Sequence, residues 1–321
     1  METARIFDVH RMATGDGPGM RTVLFLKGCP LECVWCQNPE SISMRPEVWW
    51  WEKKCIACGE CAKACPLDCL SLADSGVKID RSVCDGCGRC VEACPSMALE
   101  LLGKEWSLDE ALRLLLRDKP FYDGSGGGVT LSGGEPTMQA EFVEALARRL
   151  REAGVHVALD TCGMARFEIF ERLLPRIDLL LWDVKAIDPE RHRRWTGASN
   201  ELVFDNLRRV AEGIRRDGHP KLWIRTPLIP GLSAEMENVR AIARFIDENL
   251  ADVSERWELC AFNRGCAPKY RRLGREWALA ETPSMRESDL LPLREILAEH
   301  PRLREKTRFT GVIRKDAGPA A

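Results

Sequence analysis

The sequence predicts an α/β fold: a partial parallel (β/α)6 barrel interrupted by a small inserted α+β domain. Three observations predict it. Outside residues 52–100, short apolar runs alternate with stretches of helical periodicity, giving roughly six β-α units. Polar residues recur just after the apolar runs, where parallel barrels carry their chemistry. Residues 55–94 break the alternation with a duplicated cysteine pattern. The expected division is 1–51 for the first part of the barrel, 52–100 for the insert and 101–321 for the rest of the barrel.

Val23 to Lys27 reads as the first barrel strand and leads into Cys29. Gly128 to Ser132 is the second. Glu141 to Glu152 follows as a helix, with Phe142, Val143, Leu146 and Leu150 on one side. Val155 to Asp160 is the third strand, and Arg166 to Leu174 is a helix stopped by Pro175. Asp178 to Val184 is almost unbroken apolar sequence, as a strand buried on both faces should be. Leu202 to Arg216 is helical, Leu222 to Leu228 is the fifth strand, and Pro230-Gly231 closes it. A helix from Glu235 to Leu250, a strand from Arg256 to Phe262 and a helix from Ser288 to Glu299 complete the series. Pro292 falls near the start of that last helix, where proline is tolerated.

Composition removes several classes of function. At 45% hydrophobic and 30% charged the chain is ordinary for a globular protein. A net charge of −2 without a Lys/Arg block gives no support for nucleic-acid binding. No apolar run approaches the ~18 residues of a membrane span, and Met1-Glu2-Thr3-Ala4-Arg5 lacks the character of a signal peptide. The expected compartment is the cytoplasm of a prokaryote-like cell, and the expected state a monomer.

Fifteen cysteines in a reducing cytosol point to metal ligands more than to disulfides. Cys29, Cys33 and Cys36 form a C-x3-C-x2-C run. Three thiolates this close can hold three irons of a [4Fe–4S] cube. No fourth cysteine lies within a few residues, so one iron is left open to bind a small molecule. The other two runs are copies of each other: Cys55, Cys58, Cys61, Cys65-Pro66 and Cys84, Cys87, Cys90, Cys94-Pro95. This is the run of bacterial two-cluster ferredoxins, in which the fourth cysteine of each run ligates the other cluster. The expected sets are Cys55, Cys58, Cys61 with Cys94, and Cys84, Cys87, Cys90 with Cys65. The insert is thus expected to be a two-cluster ferredoxin-like α+β domain. Zinc would use C-x2-C pairs and explains neither the fourth cysteine nor the proline. Cys69, Cys162, Cys260 and Cys266 fall outside the runs and read as plain buried or surface thiols. Trp49-Trp50-Trp51, just before the insert, reads as a packing seam.

Gly124 to Gly128 resembles a phosphate loop but lacks G-x4-G-K-[ST] and precedes a strand, so it reads as a flexible entry into the second strand. Gly133-Gly134-Glu135-Pro136 follows that strand. Two glycines let backbone approach a ligand, and a Glu beside them can accept from an ammonium group.

Together the C-x3-C-x-aromatic-C run and the later Gly-Gly-Glu-Pro resemble the two signatures of the radical S-adenosylmethionine superfamily. Further stretches are similar to activating enzymes of glycyl radical enzymes. They are Asp16-Gly17-Pro18-Gly19-Met20-Arg21, Trp35 to Glu40, Phe121 to Thr130, Leu181 to Lys185, and Lys269-Tyr270-x-x-Leu273-Gly274. The cysteine-rich insert is similar to that of the larger class of these activases. The resemblance implies a precise chemistry. S-adenosylmethionine would chelate the open iron through its amine and carboxylate. One electron would cleave it to methionine and a 5′-deoxyadenosyl radical, which would take a hydrogen atom from the Cα of a glycine in a partner enzyme. It implies three [4Fe–4S] clusters, one catalytic and two auxiliary. The implied partners are a glycyl radical enzyme, presenting a C-terminal glycine loop, and a flavodoxin or ferredoxin as electron donor.

By the same resemblance Cys29, Cys33 and Cys36 hold the catalytic cluster, and Lys185 counts with them as catalytic. Trp35 and Gln37 border the adenine, and Gly133, Gly134 and Glu135 meet the methionyl amine. Asp160, Asp183, Val184 and Lys185 lie near the amine, carboxylate and ribose, and Asn263 supplies the polar residue after the sixth strand. Asp183 and Lys185 could also be a simple surface ion pair, worth little. Arg225 is either a carboxylate clamp or a barrel ion pair. Two other readings compete: a maturase acting on another protein side chain, and an electron carrier on an inactive barrel. Auxiliary clusters that interrupt the barrel disfavour the first, and an intact cysteine run with Gly-Gly-Glu disfavours the second.

Overall fold

The structure, a computed structural model, describes residues 3–73 and 76–316. Two strands open the chain, β1 (Thr3–Ala13) and β2 (Arg21–Leu26). Four short strands follow in the cysteine-rich region: β3 (Glu47–Trp50), β4 (Leu70–Ala73), β5 (Gly76–Ile79) and β6 (Leu99–Leu102). Then come β7 (Lys104–Ser107), β8 (Gly128–Gly133), β9 (His156–Thr161) and β10 (Leu179–Asp183). The series ends with β11 (Lys221–Leu228), β12 (Ser254–Ala261) and β13 (Thr307–Thr310).

Nine of these strands form one sheet in the order β13-β12-β11-β10-β9-β8-β2-β1-β7. From β2 through β13 every ladder is parallel. β1 runs antiparallel to β2, and β7 antiparallel to β1. No ladder joins β7 to β13 among the described residues, so the barrel stays open. The six expected parallel strands are all present. The sheet adds a seventh, β13, and an antiparallel edge that strand-helix alternation could not reveal.

The apolar runs reflect burial on both faces. In β10, Leu180 and Trp182 pack toward the helical layer, while Leu179 and Leu181 join Ala158 and Trp223 inside the curved sheet. The helix Ala140–Glu152 buries Phe142, Val143, Leu146 and Leu150, the side its periodicity marked. The helices Glu201–Asp217 and Met236–Asn249 likewise bury one face each. Among the described residues no helix is long and apolar enough to cross a membrane.

The cysteine-rich region has its own small core of Val48, Cys61, Cys65, Cys69, Leu70, Val77, Cys90 and Leu99. The duplication is visible in three dimensions. Each run leads through a left-handed glycine, Gly59 or Gly88, into a four-residue helix, Glu60–Lys63 or Arg89–Glu92. Antiparallel pairing of β3 with β6 closes the region at its base, a few residues outside the expected 52–100. Trp49 packs with Leu102 and Leu273, and the Arg272 guanidinium lies 3.7 Å from the Trp51 ring centre. Buried Lys27 donates to Glu47, as does Arg275, so the charge network ties this region to the barrel.

The glycine run at 124–128 departs from expectation. Its first half is helix, Lys119–Ser125, closed by left-handed Gly126. Its second half is rigidly packed: a Cβ on Gly127 would lie 1.8 Å from the Met20 carbonyl, and one on Gly128 2.0 Å from that of His156. These are close backbone approaches, not a hinge. Gly127→Ala should therefore cost at least the ~1–3 kcal/mol of an overpacked site. Gly124→Ala, helical and open around its Cβ, should be neutral or stabilise by ~0.5–1 kcal/mol. Thermal melting of the two variants side by side checks this, and equal midpoints would refute it.

Candidate active site

The loop after β2 carries Cys29, Cys33 and Cys36, and it is held by backbone on both sides. Gly28 N–H donates to Ser41 O at 2.7 Å and Cys29 N–H to Ile42 O at 3.1 Å. Glu32 and Val34 donate to Thr196 O and Trp195 O. Trp35 packs edge-on against Trp195. From the C-terminal third, the Tyr270 hydroxyl donates to Cys36 O at 3.0 Å, Trp277 Nε1 to Val34 O and Lys269 Nζ to Asn38 Oδ1, and the Lys269 ammonium forms an ion pair with Glu40. The Lys269-Tyr270 stretch is thus a brace behind the cysteine loop.

β8 ends in Gly133-Gly134, which pass directly over that loop. A Cβ on Gly134 would lie 2.3 Å from Gly28 O, and one on Gly133 2.2 Å from Leu26 O. Gly134 N–H donates to Leu26 O and Glu135 N–H to Gly28 O. The glycines are required by strand-to-strand approach before any ligand is considered.

A cavity of about 350 Å³ opens at the C-terminal ends of the strands. Ten of the expected site residues line it: Cys29, Cys33, Trp35, Cys36, Gln37, Gly133, Gly134, Asp160, Asp183 and Lys185. Three do not. Val184 is buried in the sheet wall. Asn263 stands at the rim, its carbonyl accepting from Gln37 Nε2 at 3.4 Å.

Glu135 is turned away from the cavity and fully buried. Its Oε1 accepts from Thr137 N, Thr137 Oγ1 and Thr161 Oγ1, and its Oε2 from Cys162 N at 2.7 Å. With four donors on two oxygens it has little capacity left for an ammonium group. It fastens the end of β8 to the end of β9 instead.

Charge in the cavity is arranged in two groups. Burial alone would push the Lys185 ammonium down, but Asp183, Cys33 and Cys162 hold it raised. Asp183 accepts directly from Lys185; the lysine is buried and the aspartate half-buried at the cavity wall, unlike a surface ion pair. Arg225 contacts Glu258 at 3.1 Å, Asp160 at 3.4 Å, Asp16 at 3.6 Å and the Gly15 carbonyl at 2.7 Å. It is an ion-pair hub that also lines the cavity. Burial lifts the Asp160 carboxyl to about 6, against the pull of Arg225.

Sequence reasoning missed Asp16, Ser132, Thr161, Cys162 and Cys260 as lining residues. Asp16 lies in a quoted N-terminal motif, and Thr161-Cys162 directly follow Asp160 at a strand end, so position alone could have flagged them. Cys162 is a fourth thiol in the cavity, in hydrogen-bond reach of Cys29. Cys162 thus stands beside Cys29, one of the three loop thiols that would hold a cluster.

The three loop cysteines fit an iron–sulfur cluster. Burial pushes the Cys33 thiol up to about 12 and raises Cys36 as well. Thiols that ligate a metal give up their protons as it binds. Two smaller cavities lie in the cysteine-rich region. One is lined by Cys55, Cys58, Cys61 and Cys94, the other by Cys65, Cys84, Cys87 and Cys90, with Cys69 beside them. Among the described residues no three His, Cys, Asp or Glu side chains gather tightly enough for a single metal ion.

Residues 23–245 match the Radical SAM superfamily. The chain belongs to this superfamily. Among curated proteins it is 41% identical to the (2S)-3-sulfopropanediol sulfolyase activating enzyme of Bilophila wadsworthia, over 87% of this chain and 91% of the relative. It is 40% identical to the isethionate sulfite-lyase activating enzyme of Oleidesulfovibrio alaskensis, over 87% and 90%. It is 35% identical to the choline trimethylamine-lyase activating enzyme of the same organism, over 89% and 92%. Membership of the radical SAM superfamily implies S-adenosylmethionine and a [4Fe–4S] cluster.

Proposed function

We infer that this protein is the activating enzyme of a glycyl radical enzyme, using S-adenosylmethionine at a [4Fe–4S] cluster to take a hydrogen atom from the Cα of a partner glycine. The observation that carries this is one cavity holding both signatures, three loop thiols and the double-glycine turn, in a chain 41% identical to an activating enzyme over 91% of that relative. When bound, the cluster and S-adenosylmethionine supply the electron and the hydrogen-abstracting group.

The chain's own residues bind, orient and enclose. Cys29, Cys33 and Cys36 hold three corners of the cluster. The backbone of Gly133 and Gly134, free of side chains, offers acceptors to an amine. Lys185, held charged by Asp183, faces a carboxylate, and Asp160 faces hydroxyl or amine donors. Trp35 and Gln37 border a planar base. The walls of β9 to β12 keep water from the reacting carbon.

The cysteine-rich region acts as a ferredoxin-like insert with two auxiliary [4Fe–4S] clusters, on Cys55, Cys58, Cys61, Cys94 and on Cys65, Cys84, Cys87, Cys90. The two cavities, each drawing its fourth thiol from the other run, support these sets. A flavodoxin or ferredoxin supplies electrons through them, in a reducing cytoplasm where the thiols stay available. Cys87→Ala should then lose about a third of the bound iron yet keep dithionite-driven cleavage of S-adenosylmethionine. Flavodoxin-driven cleavage should fall. Loss of the dithionite-driven reaction would refute the division of labour.

The deciding experiment is anaerobic. The reconstituted protein is reduced with dithionite, given S-adenosylmethionine, and assayed for 5′-deoxyadenosine. A candidate partner encoded nearby is then added and its paramagnetic resonance spectrum recorded. Deoxyadenosine together with a glycyl doublet is expected. Deoxyadenosine without a doublet from any glycyl partner would replace the reading with a maturase, and neither signal would refute both.

A further inference from the structure

We propose that Cys69 is a second ligand for one corner of an auxiliary cluster: a thiol placed beside Cys65 that can take that iron in its stead. The inference rests on the reading that the insert holds two clusters.

The duplicated runs are each other's control. Cys65-Pro66 is followed at the same offset by Cys69 as Cys94-Pro95 is by Ala98. The turn is the same in both copies: the Ala98 N–H donates to Cys94 Sγ at 3.2 Å, and the Cys69 backbone makes the equivalent bond to Cys65. Only the side chain differs. At 98 it is a buried methyl group. At 69 it is a thiol 7% exposed, with its Sγ 3.3 Å from Cys65 Sγ and Cys84 within hydrogen-bond reach. It lines the cavity of Cys65, Cys84, Cys87 and Cys90, so this cavity has five sulfurs and its twin has four.

A closed cube takes four thiolates, so one of these five sulfurs is surplus. Cys69, 3.3 Å from Cys65 and joined to it by the turn, is the surplus sulfur beside that ligand. With Cys65 bound, the Cys69 S–H donates to the Cys65 sulfur. Exchange is a ligand substitution without redox change: the Fe–S bond to Cys65 breaks, the Fe–S bond to Cys69 forms, and the Cys69 proton passes to the departing Cys65 thiolate. Where Cys65 is absent, that proton goes to solvent as the metal binds. The corner that joins the two runs is thus protected against loss of its ligand, whereas the matching corner at Cys94 is not.

The test compares iron and acid-labile sulfide per chain in anaerobically reconstituted full-length protein. Cys65→Ala should retain the wild-type content, and its reduced spectrum should keep the wild-type number of clusters. Cys94→Ala, the matched lesion in the other copy, should lose about a third of the iron. Cys69→Ala should keep its iron, and the double variant Cys65→Ala/Cys69→Ala should lose about a third. Equal losses in Cys65→Ala and Cys94→Ala would overturn the proposal. A measurement that leaves Cys65 in place is the rate at which a chelator strips iron. Cys69→Ala should lose insert iron several-fold faster than wild type, and an unchanged rate would likewise overturn it. If wild type itself binds iron for only the catalytic cluster, the two-cluster reading of the insert fails instead.

Discussion

Cys33→Ala is expected to make no 5′-deoxyadenosine. The reconstituted variant should lose about a third of its iron while the insert clusters keep theirs. The physical reason is coordination number. Three thiols from one loop line the cavity, and Cys162, a further lining thiol, lies against Cys29 rather than Cys33. A cube held by two thiolates exposes two irons and is lost under reducing turnover. The loop itself should survive, because the 2.9 Å bond from Cys36 N to Cys33 O uses backbone only. The rate should fall by far more than the roughly 10–100-fold typical of losing an outer partner of a metal ligand. Product formation at even a few per cent of wild type, with iron content unchanged, would remove Cys33 from the catalytic cluster and with it the assignment of the cavity.

Glu135→Ala should be strongly destabilising. The carboxylate is fully buried and accepts from two backbone N–H groups and two threonine hydroxyls. The hydroxyls can turn to other partners, but the N–H groups of Thr137 and Cys162 cannot. Each buried donor left unpaired costs about 1–3 kcal/mol. Two of them take a sizeable share of the roughly 5–15 kcal/mol that holds a typical domain folded. A fall in melting temperature on the order of 10 °C is expected. Glu135→Gln keeps the shape and most acceptor capacity and should fall by less than half as much, with the KM for S-adenosylmethionine nearly unchanged. If Glu135→Gln instead melts like wild type and raises that KM tenfold or more, the carboxylate is a ligand contact and the fastening role is wrong.

Much of this fold is legible because its signals are local. A strand buried on both faces must be apolar throughout, so Leu179 to Trp182 declare themselves. A helix facing the sheet must be apolar on one side, so Phe142, Val143, Leu146 and Leu150 do too. β1 and β13 escape this logic. β13 is an edge strand and β1 lies between β2 and the edge strand β7; both mix polar and apolar residues, and the strand-versus-loop decision is made by the neighbours they pair with. The glycines at 127 and 128 were read as freedom, when they are the absence of room beside Met20 and His156.

The sequence by itself determined the three cysteine triplets, since thiols two or three residues apart on one tight loop converge whatever surrounds them. It also determined the order of strands and helices, and so the end of the sheet where chemistry gathers. Tertiary structure alone decided which distant groups meet there. Arg225 joins Asp16, Asp160 and Glu258 only because the parallel sheet curls and brings strand ends together. Glu135 turns from the cavity because Thr161 and Cys162, one strand away, offer it donors that water would otherwise supply. Cys162 comes to lie against Cys29 for the same reason: contact between residues far apart in sequence is a property of packing, and no spacing encodes it.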